Sequence, residues 1–436
     1  MGPRAKTPGR RAPGGLSTTG LSATVGVVLG GLIGCQATET APPAGNGAAQ
    51  LELFATWPIE TEWAAIPAPR AAWGQTHKVW REAIDGASQS LDLAFFYLSD
   101  DPEATPVAPS RLGPVVRAVE AAADRGVSVR VLADQGFEDT YPELLAAFDA
   151  RAGIEARTLE LPEEIGGVHH AKYLTVDGRS VITGSANFDW RSLEHVQELG
   201  ARVDSPAIAS AYEAAFDIDW SLAGGEALPA AQPLAEAFPV ELDLGNGRLT
   251  RVTPLFSPPA LLPDAALWDL PRLIELIDGA QEELRLSALS FHLEERDGSR
   301  FEELAGALDR AAARGVQIHL IVADWNKRAS RAPELQELAD RPGFQVSFLV
   351  IPDASSGFVP FSRVGHAKLV VADGTHAFLG SSNLSRDYFF ESRNAGLLLE
   401  GPAASDLAEF HRILESSPYA EPVDPETSYE PRRYRE

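Results

Sequence analysis

A chain of 436 residues that is 44 % hydrophobic can bury a full core, in one large domain or in two of about 200 residues each. Its formal net charge of −25, with acids spread along the chain, excludes a broad phosphate-binding surface for duplex nucleic acid, although a local basic site stays compatible with it. A single cysteine excludes an internal disulfide framework, so stability has to come from packing.

The stretch 1–35 differs in kind from the rest of the chain. "MGPRAKTPGRRAPGG" is basic and lacks acids, and Leu16 to Ile33 is apolar and small, the order of an export signal. "LIGC", Leu32 to Cys35, resembles the bacterial lipoprotein signal, in which the cysteine is lipidated after cleavage. Gln36 comes next, so the aspartate that in such proteins implies inner-membrane retention is absent. The resemblance implies an exported, envelope-facing body held to a membrane through lipidated Cys35, at the outer membrane if the source is Gram-negative. The plainer alternative is an uncleaved signal anchor with an incidental cysteine. Residues 36–50, with the Pro/Ala/Gly-rich run Ala41 to Ala49, form a flexible tether.

From residue 51 the chain alternates helical patterns with short β-branched runs, which predicts an α/β fold: a largely buried sheet flanked by helices. In 51–222, "IDGA" at Ile84 leads into "LDLAFFYL", and "PVVRAVEAAADRG" is a helix closing on glycine before the strand "VSVRVLAD". "HAKYLTVD" has strand composition, and a period of two puts His170, Lys172, Leu174 and Val176 on one face. "GRSVITGS" supplies a turn and a second strand, so a hairpin can return Ser185 and Asn187 toward Lys172. Residues 223–259, rich in Pro, Gly and Ala, are a linker, with a short strand around Arg248 to Thr253. In 260–418 the same landmarks recur in the same order: "IDGA" at Ile277, "LRLSALSF", the helix "FEELAGALDRAAARG", the strand "VQIHLIVAD" and "VGHAKLVVADGTHAFLGSSN". Residues 419–436, Pro- and Glu-rich, form a loosely ordered tail.

The chain is therefore two copies of one unit. His170, Lys172, Asp177, Gly184, Ser185 and Asn187 recur without a gap as His366, Lys368, Asp373, Gly380, Ser381 and Asn383. One His-x-Lys pair arises by chance on an exposed strand; two copies with the same spacing do not. Packed about a pseudo-twofold axis, the units bring two imidazoles, two ammonium groups and two amides to one shared site. Such a site suits a tetrahedral anion such as a phosphodiester.

The doubled His-x-Lys-x4-Asp…Gly-Ser-x-Asn pattern resembles the signature of the phospholipase D superfamily. "GSANFDWRSLEHVQELG" and "GSSNLSRDYF" are similar to the branch containing eukaryotic phospholipases D three and four. The resemblance implies two tandem repeats with one active site, no cofactor and no metal. It implies that His170 attacks phosphorus to give a phosphohistidine, while His366 protonates the leaving alcohol and then activates water or an acceptor alcohol. Lys172, Lys368, Asn187 and Asn383 would bind the non-bridging oxygens, with Ser185 and Ser381 assisting by hydrogen bonds. Asp177 and Asp373 end strands before glycine, where a turn-forming Asp belongs, and are assigned a structural role. Glu198 matches a family glutamate expected to orient a histidine ring, and its counterpart in the second half is Asn394. One histidine alone then has an anionic partner, the asymmetry that an acid and a nucleophile require. Pairing of Glu198 with an arginine is the alternative.

His169, His195, His376 and His411 have no counterparts in the other copy and read as surface or packing residues; a zinc site of His169, His170 and His195 lacks the usual spacing. In "DWNKRASR", Lys327, Arg328 and Arg331 could steer a phosphate, but a solvated loop is the simpler reading. "DYFF", Asp387 to Phe390, reads as core. The expected substrate is a phospholipid, hydrolysed or used for phosphatidyl transfer. Single-stranded nucleic acid is the alternative, since a narrow cationic channel with stacking aromatics tolerates an acidic total. An inactive envelope scaffold is disfavoured because both motifs are complete in His, Lys and Asn.

Overall fold

The computed structural model describes residues 50–65, 73–105, 108–295 and 298–434; the export signal with Cys35, and the tether up to residue 49, lie outside them. The body folds as one compact unit built on two sheets. The first contains β1 (Leu51–Thr56), β2 (Ser90–Phe95), β3 (Ser128–Asp134), β4 (Ile154–Leu159), β5 (Tyr173–Val176), β6 (Ser180–Gly184) and β7 (Glu198–Asp204) in the order β1-β7-β6-β5-β2-β3-β4, with a two-residue strand, Gly74–Gln75, outside β1. The second contains β8 (Val240–Asp243), β9 (Leu249–Ser257), β10 (Glu283–Ala288), β11 (Gln317–Ala323), β12 (Phe344–Leu349), β13 (Leu369–Ala372), β14 (His376–Gly380), β15 (Asn394–Glu400) and β16 (Ala420–Pro422), in the order β8-β9-β15-β14-β13-β10-β11-β12-β16. The inner seven strands of the two sheets correspond one to one, as the duplication requires.

In both sheets the strands joined through helices run parallel, β2-β3-β4 and β10-β11-β12, while the hairpin strands run antiparallel. α1 (Thr76–Asp85), α2 (Gly113–Asp124) and α3 (Pro142–Asp149) serve the first sheet; α5 (Asp269–Gly279), α6 (Glu302–Ala313) and α7 (Ala332–Asp340) serve the second. α2 stops where its sequence dictates. Gly126 is left-handed at φ 88°, the Gly126 N–H donates to the Ala123 carbonyl, and the Val127 N–H donates to that of Ala122. This is the paired closure that glycine permits at a helix end, and Gly315 repeats it after α6.

α4 (Pro206–Ala223) and α8 (Pro402–Glu415) contribute to one apolar cluster that draws on both sheets. Tyr212 of α4 meets Tyr173 and Phe256 edge-on, each at 5.0 Å, and its hydroxyl donates to the Gly396 carbonyl at 3.0 Å. The repeats therefore share a core.

Two expectations need correction. Residues 223–259 are more than a connection: β8 and β9 lie in them, and β9 pairs with β15 along seven positions as β1 pairs with β7 in the first half. The second repeat begins there, because "LTRVTPLFS" offers buried positions to both sheet faces. The tail is also ordered: β16 pairs with β12, and Tyr429 packs edge-on to Phe348 at 5.0 Å.

Candidate active site

The two His-x-Lys segments sit just before their strands, not in them: β5 and β13 begin at Tyr173 and Leu369. What holds them is the opposite half. The His170 N–H donates to the Arg393 carbonyl at 2.8 Å and the Arg393 N–H to that of Val168 at 2.9 Å. The His366 N–H donates to the Gln197 carbonyl and the Gln197 N–H to that of Val364, both at 2.9 Å. Arg393 and Gln197 each precede the last inner strand of their sheet, so each histidine is stitched beside the first residue of the other half's final strand. Those residues are Asn394 and Glu198.

The side chains conform to the backbone. His366 Nδ1 lies 2.8 Å from Glu198 Oε2, and His170 Nδ1 lies 3.1 Å from Asn394 Oδ1. The Asn394 amide nitrogen donates to the carbonyls of Tyr388 at 2.8 Å and Ser392 at 3.2 Å. That fixes its oxygen toward His170, so Nδ1 of His170 carries the proton and Nε2 keeps a free lone pair. Ser185 donates to Glu198 at 2.5 Å and Ser381 to Asn394 at 3.0 Å. The serine hydroxyls thus lock the residues that orient the imidazoles.

Burial, with Lys172 and Lys368 nearby, pushes His170 well below its ordinary pKa. Burial likewise lowers His366, to about 4, but Glu198 works against the shift. Burial alone would raise Glu198, yet His366, Lys368 and Ser185 hold its carboxyl below the usual range. Each lysine ammonium donates at 2.7 Å to the carbonyl of the histidine two residues before it. Burial and the facing Lys368 push Lys172 well below its ordinary value, and burial takes Lys368 to about 7. Glu198 works against the shift on both lysines and Asp134 on that of Lys172, yet burial prevails at each; a bound anion would favour their charged forms.

His170, His366, Asn187 and Glu198 line one cavity of about 270 Å³. Asn383 is buried, with its side chain in hydrogen-bond reach of the Tyr388 hydroxyl, and Asn187 Oδ1, an acceptor, has no hydrogen-bond partner among the described residues. Asp177 and Asp373 are elsewhere. Each is left-handed, at φ 53° and 51°, and accepts three successive backbone N–H groups: Ser88, Gln89 and Ser90 in one half, Gln281, Glu282 and Glu283 in the other. Of the remaining histidines, His169, His195 and His411 are buried and His376 is exposed.

The walls are where sequence reasoning fell short. Phe96 and Tyr388 flank the His170 ring edge-on at 4.8 and 4.9 Å. Tyr97, Phe137 and Tyr141 form a stack, with the last two rings parallel to within 2°; Tyr97 and Arg191 are tied down by Asp189. Trp325 and Phe361 also line the cavity. A signal existed: "FFYL" places three aromatics at the end of β2, where open α/β sheets bind ligands. Only Phe95 of the three joins the core. "DYFF" divides similarly, Phe389 entering the core and Tyr388 the cavity wall. In "DWNKRASR" it is the tryptophan that reaches the cavity, while Lys327 pairs with Glu421 at 2.7 Å.

Residues 80–220 and 273–416 match the family described as cardiolipin synthase, PLD-like domain. Phospholipase D Z of Dictyostelium discoideum is 31 % identical over 369 residues, covering 80 % of this chain and 86 % of that protein. The 5'-3' exonuclease PLD3 of Macaca fascicularis is 29 % identical over 385 residues, covering 82 % of this chain and 78 % of that protein. Among solved structures, phosphatidylserine synthase of Haemophilus influenzae Rd KW20 superposes with a TM-score of 0.55 at 15 % identity, over 80 % of this chain and 85 % of that one, a likeness of fold.

Proposed function

The chain belongs to the phospholipase D-like family of the cardiolipin synthase type, and from that premise we propose a phosphodiesterase that works through a phosphohistidine. The observation that carries the reading is the pair of imidazoles in one cavity, one bonded to a carboxylate and the other to an amide, with two buried lysines two residues on.

The phosphodiester anion sits against Lys172, Lys368 and the two asparagines. Its charge draws a proton onto His366, whose Nδ1–H is held by Glu198. Nε2 of His170 attacks phosphorus, forming the P–N bond as the P–O bond to the leaving alcohol breaks, and His366 gives that oxygen its proton. His366, now neutral, takes a proton from water; the hydroxide formed breaks the P–N bond and releases the phosphomonoester. If an alcohol replaces water, the product is a new phosphodiester. The lysines supply the positive charge that a metal would otherwise bring, so we propose that none takes part. Turnover should survive chelators and be lost in both His170→Ala and His366→Ala; activity persisting in both variants would refute the assignment.

Phospholipid hydrolysis or phosphatidyl transfer is the first substrate reading. It is supported by the match to a protein named phospholipase D over most of its length, by apolar cavity walls, and by a leader that would place the body beside glycerophospholipids. Incubation with phosphatidylglycerol and a primary alcohol tests it: the absence of both phosphatidic acid and the transfer product would rule it out. Cleavage of single-stranded nucleic acid from its 5' end is the second reading. The parallel Phe137 and Tyr141 rings offer flat faces for bases, and relatives named exonucleases support it; intact labelled single strands at mildly acidic and neutral pH would exclude it. We further propose that Cys35 anchors the exported body in the envelope, so that Cys35→Ser should move the protein from the membrane to the soluble fraction.

A further inference from the structure

The two repeats differ at the rim of the cavity. In the first half the turn before the His-x-Lys segment uses Gly166 and Gly167, both left-handed, at φ 72° and 68°. In the second half the positions are Ser362 and Arg363, and it is Phe361 and Arg363 that are left-handed, both at φ 55°. A bulky residue adopts that region only when its surroundings compel it. Phe361 is also 40 % exposed, so core packing does not hold it.

Arg363 is held partly by the body, its N–H donating to the His195 carbonyl at 3.0 Å and its guanidinium to the carbonyls of Pro352 at 2.6 Å and Ile59 at 2.8 Å; the chain beyond β16 supplies the rest and holds Phe361. The Phe361 N–H donates to the Tyr434 carbonyl at 2.7 Å, and Arg432 donates to the Arg363 carbonyl at 3.3 Å. Arg432 also pairs with Asp324 and, at 3.2 Å, with Asp353. The Tyr434 ring lies 5.0 Å from that of Trp325, tilted by 31°, and 6.3 Å from that of Phe361. Asp324 shows that the arrangement is built in: it is 1 % exposed, and burial raises its pKa while Arg432 opposes the rise. Its counterpart at the end of β3, Asp134, is satisfied within its own half by the N–H groups of His169 and Gly136. The second half has handed that role to Arg432.

We propose that Arg432 and Tyr434 are positioning residues that select substrate. By clamping the 361–363 turn and the Trp325 ring, they fix an aromatic mouth against which the bulky, non-reacting part of the phosphodiester rests; for a phospholipid this is its apolar part. They touch neither histidine, so they act on binding of large substrates and leave the chemical step alone. The clamp rests on the proposed phosphodiesterase activity.

The test compares the full chain with the Arg432→Ala/Tyr434→Ala double variant on three substrates: bis(4-nitrophenyl) phosphate, phosphatidylglycerol in mixed micelles, and a labelled single-stranded oligonucleotide. For whichever large substrate the parent turns over, KM should rise about fivefold or more while kcat stays within about twofold. On the small reporter kcat should not change. Arg432→Lys/Tyr434→Phe should restore KM, since it keeps one charge and one ring. Hydrolysis of the reporter and the oligonucleotide but not the lipid would discard the lipid reading and still measure the clamp on the oligonucleotide. An unchanged KM for the large substrate, or a parallel fall of kcat on the reporter, would overturn the clamp. A parent inactive on all three would overturn clamp and phosphodiesterase together.

Discussion

Asn394 and Glu198 occupy the same place in the repeat, yet one offers His170 an amide oxygen and the other offers His366 a carboxylate. The carboxylate raises the pKa of His366, so the protonated form needed to expel the leaving group persists to higher pH. Glu198→Gln should therefore move the alkaline limb of the kcat profile to lower pH and lower kcat by about 10²-fold; an unmoved limb would mean that Glu198 only packs. Lys368 gives a second pH signature. Its folded value of about 7 means that the empty site loses a positive charge as pH rises through 7, and a bound anion must restore it. Competitive inhibition by sulfate, which does not itself titrate there, should weaken above pH 7, by up to about tenfold per pH unit, and level off below it. The histidines, lysines and asparagines were legible because duplication repeats them at one spacing. The serines' true partners were not, since Glu198 and Asn394 lie thirteen residues further on, a separation only the folded strands close.

At the scale of elements, the aspartate of each repeated motif belongs to a turn. Burial opposes the ionisation of Asp177, but the backbone donors of Ser88, Gln89 and Ser90 prevail and hold its carboxyl below the ordinary range. Asp177→Ala should cost about 1–3 kcal/mol of stability by leaving those donors without their acceptor, visible as a lower melting temperature. The pH profile of turnover should not change, because the residue acts on the β5–β6 turn and not on the cavity. A depressed folded pKa contributes stability above the unfolded value near 4, and that stability is lost as pH falls through the folded value. Strand and helix positions were legible from period and glycine placement. β8 and β9 hid in a stretch whose Pro, Gly and Ala content reads as linker, because composition is averaged over a window while pairing with β15 is decided residue by residue. The ordered tail escaped for a related reason: its order comes from contacts with Asp324, Phe348 and Trp325, about a hundred residues away.

For the molecule as a whole, the shared core around Tyr212 and the backbone pairs at Arg393 and Gln197 make the halves interdependent. A chain comprising residues 50–223 alone exposes the α4 face and leaves His170 without Asn394. It should show no cooperative thermal unfolding transition and no turnover, and a sharp transition in that fragment would disprove the dependence. The pseudo-twofold arrangement was legible from the repeat; that each half completes the other half's histidine was not, because no local pattern records which final strand lies beside which motif.

That crossed completion has a consequence for how such a site can change. If two separate copies of one unit met about a true twofold axis, both imidazoles would necessarily carry the same orienting group, since one codon would specify both. A carboxylate for one and an amide for the other can be written only when the copies are joined in a single chain. Covalent fusion thus does more than hold the units together: it frees each imidazole to be tuned separately, and the difference between Glu198 and Asn394 is the mark of that freedom.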